Sequence, residues 1–351
     1  MTDASTKVTR STRATNIGIS AVSGLLFVLA SLPFWGSTDT LRLLIDIFLY
    51  VALASLWNFL AGYAGLVSVG QQAYVGLGGY ALFALTTKLG ISPLPGLLLV
   101  GVIAAVLSMP IAGLLFRLRG PYFAIGSWVV AEVMRLAFSV ITPLGGASGM
   151  SLPVAVAQSL GRAQHARFVA VYCIALILLA VILLLIVVVL RSRYGLALTA
   201  IRDNELAARS NGVNVTRTKL MVYVVTAFGT AMTGGLLFLV RLRISPDAAF
   251  SVNDWTALII FMVIIGGLGS FEGPIIGALV YFLLRETLAN LGSVYLMILG
   301  AVAIGVMFWA PRGIWGAIRH RWGLQILPLQ LRVVPPPAPL SPSRPEADSN
   351  R

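Results

Sequence analysis

The stretch that decides the fold is FVAVYCIALILLAVILLLIVVVL (168–190), RSRYGLALTAIRDNELAARSNGVNVTRTK (191–219) and LMVYVVTAFGTAMTGGLLFLV (220–240). The two outer pieces are apolar and each long enough to cross a bilayer, which takes ~20 residues as a helix. The 29 residues between them are mostly polar and must leave the hydrocarbon. A chain with this pattern is a membrane protein carrying a polar island between two spans.

Bulk composition agrees. Hydrophobic residues make up 58% of the chain and charged residues 11%, with mean hydropathy +0.92. Soluble domains carry ~25% charged residues. The expected fold class is therefore all-α and polytopic. The 35 glycines suit it, since small residues let membrane helices approach closely. A formal charge of +13 could suggest nucleic acid, but the basic residues lie in short segments beside apolar runs, a membrane-flanking pattern. Nucleic acid is excluded as a partner. Cys173 is the one cysteine, so no disulfide forms within the chain, and His165 and His320 alone make no metal constellation.

Ten spans are expected, near 16–35, 42–60, 69–87, 94–116, 121–141, 168–190, 220–240, 255–271, 274–291 and 294–310. Lys7, Arg10 and Arg13 before the first run resemble a signal peptide, but the run is long and no A-x-A site follows; a retained helix is expected. With the N-terminus cytoplasmic, 17 Lys and Arg fall inside and 6 outside, so both termini are read as cytoplasmic. The chain then divides into a cytoplasmic segment 1–15, a transmembrane domain 16–318 with the loop 191–219, and a tail 319–351, Pro-rich and disordered from about 332.

Two regions break the apolar pattern. One holds Gly62, Gly65 and Gly70 after Asn58; the other holds Gly266, Gly267, Gly269 and Gly273. A pair of glycine-rich interruptions in the two halves points to a translocation pathway. Tight turns between hairpin helices would look the same. Charged residues inside spans are functional suspects. Asp46 has no evident partner. Glu132 and Arg135, at i and i+3, either serve function or simply neutralise one another on one helix face.

Within the island, 195–210 is rich in helix formers and Asn211-Gly212 supplies a left-handed stop. Leu198, Ile201 and Glu205 share a face, and Glu205 and Arg209 form an i, i+4 pair. Arg202 and Arg209 are offset by Asp203 and Glu205, which favours docking on a protein over lying on a membrane surface. The sequence contains no G-x-x-x-x-G-K-[ST] phosphate loop. No nucleophile–base or metal set for an embedded enzyme is found either. If ATP drives transport, it is bound by a separate polypeptide.

AIRDNELAARSNGVNVTRTK (200–219) resembles the cytoplasmic coupling segment of branched-chain amino-acid ABC transporter permeases of the M-type. The resemblance extends to NFLAGYAGLVSVGQQAYVGLGGY (58–80), RGPYFAIGSWVVAEVMRLAF (119–138), ISPDAAFS (244–251) and GGLGSFEGPIIGALV (266–280), over about 16–318. It implies a bacterial inner-membrane importer subunit without ATPase activity of its own. Its partners would be an H-type permease, two cytoplasmic ATPases that bind ATP, and a periplasmic substrate-binding protein. Branched-chain amino acids are the implied substrates; other amino acids, amides and urea also occur. Arg202, Asp203, Asn204, Glu205 and Gly212 would couple to the ATPase. Asn58, Gly62, Gly65 and Gly70 would lie near the pathway. After Gly70 the family commonly has His, where this chain has Gln71 and Gln72. Glutamine hydrogen-bonds but does not titrate near neutrality, so this position transfers no proton here. The rival reading is an ion-coupled secondary transporter using Asp46, Glu132 and Arg135.

Overall fold

The computed structural model describes residues 8–9, 24, 28–161, 163–288, 294–310, 312–322 and 332–333. It is helical nearly throughout. Helix α1 (Thr38–Asn58) continues into a π-helical turn, Phe59–Tyr63. Then come α2 (Gln71–Lys88), α3 (Pro93–Leu115), α4 (Pro121–Val140) and α5 (Gln164–Arg191). The island forms α6 (Arg193–Asp203) and α7 (Glu205–Ser210), followed by the long α8 (Val215–Arg241). After a single turn, Pro246–Ala249, and a π-helical turn, Val252–Ala257, come α9 (Leu258–Gly266), α10 (Gly273–Leu288), α11 (Val294–Trp309) and α12 (Gly313–Trp322).

Among the described residues, seven helical stretches have the length and apolarity to cross a membrane. The expected count of ten is not confirmed by these seven. α2 is glycine-rich and begins with two glutamines, and α10 has only 16 residues. The expected first span lies mostly outside the described residues; its end is helical at 28–31. The expected eighth span at 255–271 begins instead at Pro246 and stops at Gly266, because Gly267 adopts φ +124.

The core is built around α1, α2 and α8, all largely enclosed. α8 packs on α2 and α3, and α1 on α5, α8, α9 and α10. Glycine makes the α2–α8 approach possible. A Cβ on Gly78 would collide with the Ala231 carbonyl, and one on Gly234 with the Val75 backbone. The helices therefore meet backbone to backbone, which in lipid gives the dispersion contact that holds a bundle together. Tyr80 stacks on Phe138 with centroids 4.7 Å apart and on Phe250 at 6.1 Å, joining α4 and the 246–250 turn to the core.

Alternate connections gather on two faces. The 64–70 and 116–121 segments meet the island on one, here the island face. On the other, β2 (Met150–Ser151) pairs antiparallel with β3 (Arg243–Ile244). Segments expected on one side of the membrane thus lie together. Val8–Thr9 (β1) and Arg332–Val333 (β4) also pair antiparallel; the rest of the Pro-rich tail lies outside the described residues.

Candidate coupling and translocation site

The island is two helices, which corrects the single helix expected over 195–210. Asn204 adopts extended backbone angles and its Oδ1 accepts hydrogen bonds from the amides of Leu206 (3.0 Å) and Ala207 (3.1 Å). Asparagine competes for backbone donors better than alanine propagates a helix across it, so α7 starts afresh at an N-cap. Gly212 then takes φ +81, as expected of the stop. The break also turns Glu205 away from the face of Leu198 and Ile201, which are buried. Ile201 instead packs with Ala208 and Val215 in a small core of its own.

Glu205 makes the expected contact with Arg209 (3.1 Å) and a second with Lys219 Nζ (2.7 Å), at the start of α8. The hydrogen bond from Lys219 holds its carboxyl below the ordinary glutamate range; partial burial opposes this, and the charges of Lys219 and Arg209 add to it. α7 is thereby clamped to α8 while Leu206 stays 78% exposed on its outer side. Arg202 and Asp203 lie 3.7 Å apart and both are exposed.

A second group is assembled from three distant parts of the chain. Asn58, in the last α-helical turn of α1, donates from Nδ2 to the Ser270 carbonyl and accepts from the Gly269 amide, both at 2.8 Å. Gly62 lies one turn on, where a Cβ would be 2.6 Å from the Gly269 nitrogen. The guanidinium of Arg202 lies beside the joint, with Nη1 3.4 Å from where a Cβ of Gly269 would be. The charges of Arg202, Glu272 and Arg319 all act on Tyr63 beside it. Gly267 packs against Gly313 at the start of α12. The two glycine-rich breaks therefore touch each other, and Arg202 of the island lies beside one of them, near Gly269.

Gln71 and Gln72 lie deep in the protein. Gln71 Nε2 donates to Thr230 Oγ1 (2.5 Å); the Gln72 amide donates to Thr256 Oγ1 (3.3 Å), whose hydroxyl donates to Gln72 Oε1. Gln72 Nε2 is buried and has no partner among the described residues. The irregular 64–70 segment is held by protein groups. Trp57 Nε1 donates to the Ser68 carbonyl (2.8 Å), Ser127 Oγ accepts from Val69 (2.9 Å) and Ser68 Oγ accepts from Gly70 (3.2 Å). Of the predicted pathway residues, Gly65 borders the island-face cavity, about 640 Å3, between the 116–121 turn and α7.

The intramembrane charges are placed apart from these groups. Glu132 Oε1 accepts from Arg135 Nη2 (2.6 Å) and Nε (2.9 Å), and Arg135 Nη1 reaches Asp247 at 2.7 Å. Asp46 is half-buried and borders a cavity of about 560 Å3 on the opposite face with Arg42, Arg285 and Glu286. It is not isolated, contrary to the sequence reading. Among the described residues no group of three His, Cys, Asp or Glu could hold a metal ion. Ser270, Thr230, Thr256 and Asp247 were missed because each meets its partner across more than 100 positions, beyond any helical spacing.

Fold and site together define a polytopic helical membrane protein with a compact polar loop geared to its interior. The family described as branched-chain amino acid transport system / permease component matches residues 40–308, and this chain belongs to that family. It is 26% identical over 312 residues to the high-affinity branched-chain amino acid transport system permease protein LivM of Salmonella typhimurium, covering 83% of this chain and 73% of the relative. A probable LivM of Methanocaldococcus jannaschii is 24% identical over 68% of this chain and 74% of its own length. The ribose import permease protein RbsC of Escherichia coli shares 32% over a shorter stretch, 32% of this chain and 37% of that protein. No solved structure matches.

Proposed function

We propose that the chain is an M-type permease subunit of an ABC importer for branched-chain or related apolar amino acids. It sits in the inner membrane with the island face and both termini cytoplasmic. It works beside an H-type permease, receives substrate from a periplasmic binding protein, and is driven by two ATPase subunits that bind the ATP. The names of its relatives and the charge distribution support this reading.

The observation that carries it is the position of Arg202 beside Gly269, itself held by Asn58. A force applied to α6 and α7 from outside the membrane meets the joint between the two glycine-rich breaks directly. From there Asn58 passes it to α1, a core helix. Helices packed backbone to backbone transmit such a displacement as rigid bodies, the motion alternating access requires. The exposed Leu206 and the clamp of Glu205 on Lys219 give the ATPase an apolar contact on a helix that cannot swing independently of α8.

The test is uptake into proteoliposomes holding the complete complex. Arg202→Glu together with Glu205→Arg should abolish ATP-driven uptake while leaving membrane insertion and recovery of the protein unchanged. Wild-type uptake by that variant would overturn the assignment.

A further inference from the structure

The outward faces of three long helices differ in kind. α3 presents Leu98, Val102, Val106 and Met109, and α5 presents Ile177, Val181, Leu184 and Val188. Both are apolar throughout, as lipid requires. α4 presents Ile125, Trp128, Val129, Val133 and Leu136, yet Glu132 lies among them with its side chain 43% exposed.

Glu132 is eight residues before the end of α4, about 12 Å along the axis at 1.5 Å per residue. A glutamate side chain is too short to reach the membrane surface from there, although the neighbouring Arg135 can. Carboxylates facing hydrocarbon are strongly disfavoured. A water-lined wall fits no better, because apart from Arg135 and Asp247 the exposed residues beside Glu132 on α4 are large and apolar. What suits such a face is another protein, with an apolar contact and a buried polar centre.

The charge at that centre is unbalanced. Arg135 serves two carboxylates, Glu132 and Asp247, so the triad carries a net negative charge. Both of its contacts with Glu132 fall on Oε1, leaving Oε2 directed elsewhere. We propose that the exposed face of α4 is the seam with a second permease subunit, and that this subunit brings a basic side chain to Glu132. The inference rests on the importer reading above, which requires a second permease but does not say which surface meets it.

The experiment uses the whole complex purified in lipid nanodiscs with a photoreactive benzoylphenylalanine at single positions. At Ile125 or Val133 on α4, irradiation should give an adduct to a permease subunit, identified by its mass. At Val102 on α3 and Val181 on α5 it should give lipid adducts alone. Equal protein labelling from all four positions, or none from α4, would overturn the seam. The basic neighbour is tested with Glu132→Lys, expected to reduce co-purification of the second permease at least tenfold, and Glu132→Gln, expected to reduce it less. Full recovery with Glu132→Lys would overturn that part; an unchanged melting temperature of the isolated subunit shows that a loss is not misfolding. If ATPase subunits fail to co-purify with the unaltered chain, the importer reading itself fails, a result distinct from missing adducts on α4.

Discussion

The α2–α8 core and the joint at Gly62 and Gly269 both depend on glycine, and they use it in opposite ways. In the core, Gly78 and Gly234 remain helical and let two backbones touch along long, rigid elements. At the joint, Gly267 and Gly269 leave the helix, with φ +124 and +74, and expose peptide groups that a single asparagine side chain then binds. The first arrangement resists deformation because every displacement is a steric collision. The second adds to its close backbone approach two hydrogen bonds from one side chain, which can be broken and remade. Under the proposed function, a weak joint between rigid elements would let a force arriving near Arg202 move helices without unfolding them.

The largest effect expected from breaking this contrast is in the core. Gly78→Val should prevent accumulation of folded protein, since its Cβ would collide with the backbone at Ala231, where nothing flexible can yield; the cost is about 3 kcal/mol or more. Recovery of monodisperse protein in detergent checks it. Asn58→Ala should have an intermediate effect. It leaves the Gly269 amide and the Ser270 carbonyl without their partner at a cost of about 1–3 kcal/mol, and the protein should fold. Uptake should fall more than ATP hydrolysis by the partner subunits, a split that a purely structural defect would not produce.

The smallest effect concerns the clamp of α7. The carboxyl of Glu205 is held below its ordinary value of 4.5, so its contribution is complete above that pH and is lost as pH falls through the lower folded-state value. Because the group is 41% exposed, the contribution is at most about 1 kcal/mol. Hydrogen exchange over 205–219 should therefore be protected at pH 7 and lose protection below about 4.5, with Lys219→Met removing most of that dependence.

Local spacing made part of the site legible. Glu205 with Arg209 and Glu132 with Arg135 are separated by one helical turn, and both pairs form as their spacing implies. The stop at Gly212 is equally local. The split at Asn204 was hidden because helix propensity summed over 195–210 masks one capping residue, and capping prevailed once its side chain found two amides. Of the groups around Asp46, Arg42 is one helical turn away and was within reach of local spacing, whereas Arg285 was hidden by distance along the chain, 239 positions away.

Apolar runs and the distribution of Lys and Arg determined, without any coordinates, that the chain is a helical membrane protein and which of its connections share a side. Hydrocarbon admits only helices of a certain length from such runs, and charge resists crossing it. Only the tertiary structure decided that the two glycine-rich breaks meet, that Asn58 ties them, and that Arg202 lies beside the knot. The contacts join α1 and the segment between α9 and α10, and each depends on how helices pack, which no local pattern encodes.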